Sequence, residues 1–184
     1  MIFLIEVEVK AWLENERELE QLLHQIGAKY LKTINQSDIY YNHPNKDFKK
    51  TDEALRIREE EKKYILTYKG PKIDEKTKTR EELEVYFNEK KKMQEILEGL
   101  GFKAIYEVKK SRKIFNLNEI KIAIDKVEDL GTFIELETEV DSKEEVLNAV
   151  NLLLAKLKIL GISETKTERR SYLELLLEKF QNKK

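Results

Sequence analysis

Cysteine is absent from the 184-residue chain, which excludes disulfides, thiolate metal sites and a cysteine nucleophile. Proline occurs twice and glycine six times, too sparsely for a linker or a low-complexity tract. No apolar run approaches the ~20 residues that span a bilayer. The opening Met1-Ile2-Phe3-Leu4-Ile5 meets Glu6 at once, which suits a strand and not a signal peptide. A cytoplasmic protein with no membrane partner is therefore expected. Only two histidines occur, and neither suggests a zinc site: His24 falls in a polar slot of an amphipathic helix and His43 precedes Pro44. An excess of either charge is also missing, with 35 basic residues against 36 acidic ones. Binding to nucleic acid needs a clear basic surplus or stripe, so no nucleic-acid partner is expected.

What the chain does have is charge in quantity. Charged residues make up 39%, and so much Lys and Glu without Cys is a composition typical of thermophiles. The length predicts one substantial domain. Strands are predicted over 2–10, 29–42, 53–60, 63–70, 79–87, 104–116, 119–128 and 132–140. Helices are predicted over 14–27, 89–100, 142–160 and 169–180, from apolar residues at helical spacing. Three of these helices stop at a glycine: Gly27, Gly101 and Gly161. Leu19-x-x-Leu22-Leu23-x-x-Ile26-Gly27 returns 74 residues later as Met93-x-x-Ile96-Leu97-x-x-Leu100-Gly101. The reading is a single domain, 1–184, of two similar halves (about 1–72 and 73–165) and a C-terminal helix at 169–180. Its class is α+β: a closed eight-stranded antiparallel β-barrel with helices packed outside. The long helix at 142–160 can pack on its own barrel or on a second copy in a homodimer.

Glu6, Glu8 and Lys10 alternate with Ile5, Val7 and Val9, so two carboxylates and an ammonium share one face of a strand. Later strands repeat the pattern, and the polar rows hold seven acids (Glu6, Glu8, Glu82, Glu84, Asp125, Glu135, Glu137) and seven bases (Lys10, Arg56, Arg58, Lys69, Arg80, Lys110, Arg112). One account is an open sheet with a solvated charged face. The other is a barrel lumen, too charged to stay empty. Arginine and glutamate at the central positions, rather than Ser, Thr, Asn and Gln, favour the lumen. Forked guanidinium groups bind phosphate oxygens in pairs, and carboxylates take Mg²⁺ or Mn²⁺ that bridges phosphates. With no Gly-x-x-x-x-Gly-Lys-[Ser/Thr] loop, side chains would do all the phosphate binding. For a base, Tyr40, Tyr68 or Phe115 could stack on the ring, although such aromatics are commonly core.

These residues resemble the CYTH superfamily, which includes class IV adenylyl cyclases and thiamine triphosphatases. The resemblance runs through Glu6-x-Glu8-x-Lys10, Gln36-Ser37-Asp38-Ile39-Tyr40-Tyr41, Glu53-Ala54-Leu55-Arg56-Ile57-Arg58 and Leu66-Thr67-Tyr68-Lys69-Gly70. It continues through Thr79-Arg80-Glu81-Glu82-Leu83-Glu84, Lys110-Ser111-Arg112, Asp125 and Gly131-Thr132-Phe133-Ile134-Glu135-Leu136-Glu137. Tyr40-Tyr41-Asn42-His43-Pro44 and Arg170-Ser171-Tyr172-Leu173 look like the cyclase branch. The resemblance implies a triphosphate tunnel for ATP or polyphosphate with Mg²⁺ or Mn²⁺. Glu6, Glu8, Glu135 and Glu137 would sit at the metal, and Lys10, Arg56, Arg58, Lys69, Arg80, Lys110 and Arg112 on the phosphates. Glu8, Asp125, Lys69 and Arg112 would serve the reacting centre. Arg80, Glu82 and Glu84 would form a supporting ion network, and the C-terminal helix, with Arg169 and Arg170, would close one mouth. The expected function is an enzyme acting on a triphosphate. The leading reaction is ATP to cyclic AMP and pyrophosphate; the alternatives are a triphosphatase or a non-catalytic triphosphate-binding module. No motif position departs from the pattern.

Overall fold

The computed structural model describes residues 5–71 and 82–181. Eight strands run in chain order: β1 (Ile5–Trp12), β2 (Lys29–Asn42), β3 (Ala54–Glu60), β4 (Lys63–Lys69), β5 (Glu82–Phe87), β6 (Lys103–Leu117), β7 (Ile120–Val127) and β8 (Gly131–Val140). The helices are α1 (Glu16–Gln25), α2 (Phe48–Thr51), α3 (Lys90–Gly99), α4 (Val146–Ile159) and α5 (Tyr172–Gln181). The strands form one antiparallel sheet of order β1-β8-β7-β6-β2-β3-β4-β5. The described residues fall into two compact units, divided at Thr33/Ile34 and again at Lys110/Ser111.

The α+β class holds, but the expected closure does not. The strand order ends in β1 and β5, so among the described residues the sheet has two ends. The outer edge of β1 is taken by the C-terminal segment instead. Ala11 bridges Thr167, and the Glu168 amide donates to the Lys10 carbonyl at 2.8 Å. That pairing also explains why helix predicted from 169 begins only at Tyr172. Glu164–Lys166 makes a 3-10 turn, and the chain then extends along β1. The helix predicted over 142–160 likewise starts with a 3-10 turn, Lys143–Glu145, before α4.

The glycine stops follow one hydrogen-bonding scheme. After α1, Gly27 N–H reaches the His24 carbonyl at 3.1 Å and Ala28 N–H the Leu23 carbonyl at 2.9 Å. Gly101 with Phe102, and Gly161 with Ile162, repeat the arrangement after α3 and α4. Each glycine has positive φ (83°, 90° and 76°), the left-handed turn that lets the helix end satisfy its last carbonyls and set an apolar residue inward. α3 begins 74 residues after α1, the spacing of the sequence repeat. The connections after it differ: α2 lies between β2 and β3, whereas β6 turns into β7 through Asn118 and Glu119 alone.

In the unit holding β1, β7 and β8, the apolar rows Val7-Ala11, Ile122-Ile124 and Ile134-Leu136 bury against Leu19 and Leu23 of α1 and Leu153 and Leu157 of α4. In the unit of β3, β4 and β5, Tyr41, Leu55 and Ile57 bury against Phe48 of α2 and Leu97 of α3. Helices thus cover the apolar face in both units, which leaves the other face of each to the charged rows. Tyr68 and Phe115 belong to these apolar clusters, so neither is placed to receive a base.

Glu53, just ahead of β3, is buried and anchors this packing. It accepts from the Tyr68 hydroxyl at 2.5 Å and pairs with Lys46. Burial pushes its pKa up, but the hydrogen bonds from Lys46, Thr51 and Tyr68 win, taking it from the ordinary 4.5 to about 2. A carboxylate depressed in the fold stabilises it above the unfolded value and loses that contribution as pH falls through 4.5 toward 2. Glu53→Gln should therefore lower stability at neutral pH and flatten its fall in that acid window. Urea midpoints measured against pH check this; an unchanged acid limb would remove Glu53 from the account.

Candidate functional site

The β1–β8 register sets Glu8 opposite Glu137, Glu6 opposite Glu139 and Lys10 opposite Glu135. Directly opposed residues share a face, and like charges so placed repel. Across β8, β7 sets Lys121 opposite Glu137 and Ala123 opposite Glu135, and Asp125 follows on the same parity. Lys121 answers part of the repulsion, its ammonium 2.9 and 3.0 Å from the Glu137 carboxylate oxygens.

At the other end of this face the charges lock together. Arg112 donates to both oxygens of Asp125, at 2.7 and 2.6 Å, and also to Glu135. Burial would lower the Arg112 pKa, but Glu135 and Asp125 hold it well above its ordinary value. Asp125 is fully buried and also accepts from the Tyr172 hydroxyl at 3.0 Å. Burial, followed by the charges of Glu135 and Asp125, pushes the Tyr172 pKa up, so this phenol stays a donor. Lys10, 3% exposed, donates a hydrogen bond to the Arg170 carbonyl at 2.5 Å, with its ammonium 4.4 Å from the Tyr172 ring centre. Arg170, expected at a tunnel mouth, binds Glu168 and Glu178. The Arg170 contact holds the Glu168 pKa at about 2 despite burial.

The second charged face has its own rows. β2 and β3 pair Gln36 with Glu60, Asp38 with Arg58 and Tyr40 with Arg56. Arg58 forks onto Asp38 with two contacts of 2.7 Å, and Arg56 reaches the same carboxylate at 3.4 Å. Burial would raise the Asp38 pKa; the Arg58 hydrogen bond and the charges of Arg56, Arg58 and Lys110 hold it far below the usual carboxylate range. Farther along, Arg56 lies opposite Thr67, and Thr67 opposite Glu84, whose carboxylate accepts from the Thr67 hydroxyl at 2.8 Å. Lys69 pairs with Glu82 at 2.5 Å. Tyr40 lies on this charged face, where burial raises its pKa. Arg80 lies outside the described residues.

The structure brings Glu8 to Glu137, Lys10 to Glu135, and Arg112 to Asp125 and Glu135. It brings Arg56 and Arg58 together through Asp38, a residue that the charged rows of the sequence leave out. Its alternation with Ile39 was the available signal. Tyr172 was missed for another reason: it sits on a helix, where strand parity is silent.

A CYTH domain model matches residues 4–172. The chain belongs to the CYTH family. A relative in Methanocaldococcus jannaschii named "Putative adenylate cyclase" is 43% identical over 94% of this chain and 98% of its own. Among solved structures, the PH1819 protein of Pyrococcus horikoshii superposes with a TM-score of 0.84 at 46% identity, covering 95% of this chain and 99% of that one. A structure from Vibrio parahaemolyticus, described as "a putative adenylate cyclase", gives 0.81 at 26% identity, over 94% and 97%. The CYTH family is enzymatic, acts on triphosphates such as ATP and depends in general on a divalent metal.

The residues of this CYTH chain suit such a metal. Mg²⁺-like ions take oxygen donors, need only one or two carboxylates and leave other positions to water and phosphate. The facing carboxylates of β1 and β8 supply that donor type, and a cation between them would relieve their repulsion. Among the described residues no three acidic or histidine side chains converge as a closed site, and an ion that shares its shell with a substrate does not require one. No helix among the described residues is long and apolar enough to cross a membrane.

Proposed function

We propose that this CYTH protein is a divalent-metal-dependent enzyme of the class IV adenylyl cyclase type, converting ATP to cyclic AMP and pyrophosphate. The observation that carries the reading is the β1–β8 register, which sets Glu8 against Glu137 and Lys10 against Glu135. In the proposal Glu6, Glu8, Glu135 and Glu137 are the metal carboxylates. When bound, Mg²⁺ or Mn²⁺ offsets negative charge on the phosphates.

Lys10, Arg56, Arg58, Lys69, Arg80, Lys110 and Arg112 hold phosphate oxygens. Asp38 keeps Arg56 and Arg58 fixed before a ligand arrives, and Asp125, held with the Tyr172 hydroxyl, does the same for Arg112. Such preorganisation removes the cost of ordering long side chains at the moment of reaction. The ATP 3′-oxygen attacks the α-phosphorus, its proton passes to solvent, and the bond from the α-phosphorus to the bridging oxygen breaks. Pyrophosphate leaves. A triphosphatase would use the same charged groups with water as nucleophile and orthophosphate as product.

Product analysis tests the reading. The protein is incubated with ATP, and separately with tripolyphosphate, in Mg²⁺ or Mn²⁺. Cyclic AMP with pyrophosphate is the expected result. Orthophosphate instead would convert the assignment to a triphosphatase, and no product under any condition would sink it.

A further inference from the structure

One row on the β2–β5 face is not ionic along its whole length. Asp38 lies opposite Arg58, Arg58 opposite Ile65, and Ile65 opposite Tyr86. Directly opposed residues share a face, so Ile65 and Tyr86 stand on the face that carries Arg56, Thr67, Lys69, Glu82 and Glu84. Tyr86 is 68% exposed. It contributes nothing to the apolar core of this unit, which uses the other parity of the same strands through Leu66 and Phe87. A phenol ring in water beside an aliphatic side chain, flanked by ions, has the makeup of a stacking platform.

We infer that Ile65 and Tyr86 form a seat for the base of a nucleoside triphosphate, and that nucleotides rather than inorganic polyphosphate are the ligand class this face selects. The inference rests on the triphosphate reading above and deepens it. Neighbouring strands lie about 4.8 Å apart, so Tyr86 on β5 stands roughly 10 Å from the backbone of Arg58 on β3. A flat ring resting on Tyr86 and against Ile65 directs its sugar across β4, and the phosphates come to Arg58 and, one row along, to Arg56. A linear inorganic phosphate chain has nothing to lay on the two apolar side chains. The face offers the base a surface without a set of polar readers, so the seat prefers a ring over no ring and discriminates weakly among bases.

The test is calorimetric titration of the wild type, Tyr86→Ala, Tyr86→Thr and Tyr86→Phe with ATP and, separately, with tripolyphosphate, each with Mg²⁺. Loss of a base–aromatic stack predicts about tenfold weaker ATP binding in the Ala and Thr variants, with tripolyphosphate within about twofold of wild type and Tyr86→Phe close to wild type for both. The Thr variant preserves strand propensity, and tripolyphosphate reports whether the face itself is intact. Equal weakening of both ligands, or no weakening of ATP, overturns the seat. A wild-type protein that binds neither ligand removes the triphosphate reading and the seat with it. One that binds both, with Tyr86→Ala unaltered toward each, removes the seat alone.

Discussion

Glu8→Gln is expected to reduce turnover by about a thousandfold or more, equivalent to roughly 4 kcal/mol of barrier, while ATP still binds. The substitution keeps the shape of the side chain and removes the charge that the proposed metal requires. Glu8 faces Glu137 directly across the β1–β8 pair, so Glu137→Gln should behave alike. The two losses should not add, because both act on one ion. The phosphate-binding cations remain in place, which is why binding persists as turnover fails. Steady-state rates beside a direct binding titration, both with Mg²⁺, separate the two effects. A Glu8→Gln protein that turns over at the wild-type rate would end the metal assignment.

Arg112→Ala is expected to damage the fold as well as the ligand site. Removing one partner from a buried ion network leaves uncompensated charge, a loss of about 3–5 kcal/mol. Here two carboxylates lose their guanidinium: Asp125, fully buried and left with the Tyr172 hydroxyl, and Glu135, 9% exposed. Weakened ligand binding in this variant alone would therefore say little about phosphate contact. Adding Asp125→Asn should recover part of the lost stability, since a neutral amide tolerates burial better than an unpaired carboxylate, but not the ligand affinity. Denaturant midpoints for the single and double variants, each with an ATP titration, provide the test. A single variant as stable as the wild type would show that the Arg112 network does not support the fold.

The alternation of Glu6, Glu8 and Lys10 with Ile5, Val7 and Val9 was enough to separate charged from apolar faces, because a strand has only two. Parity alone could not show partners. That Glu8 meets Glu137, or that Asp38 collects both Arg56 and Arg58, depends on strand register, which one strand's sequence does not contain. The aromatic candidates show the same limit. Tyr68 and Phe115 are plausible stackers by residue type, yet their parity sends them into the cores, while Tyr86 shares the parity of Glu82 and Glu84. The open end of the sheet was illegible for a different reason. A stretch rich in Thr, Glu, Arg and Lys reads as solvated loop or helix start, and only the backbone contacts of Thr167 and Glu168 reveal it as partner to β1.

That strip of backbone along β1 bears on how open the strand is to strand addition. A bare terminal strand invites a neighbour's strand to join it, the first step toward fibrils. Here the chain's own tail already fills the vacancy along part of its length, tethered by a covalent path and so never diluted away. Thr167 and Glu168 therefore shield that part of β1 from strand addition, while the Arg170 carbonyl and the Tyr172 ring wall in Lys10.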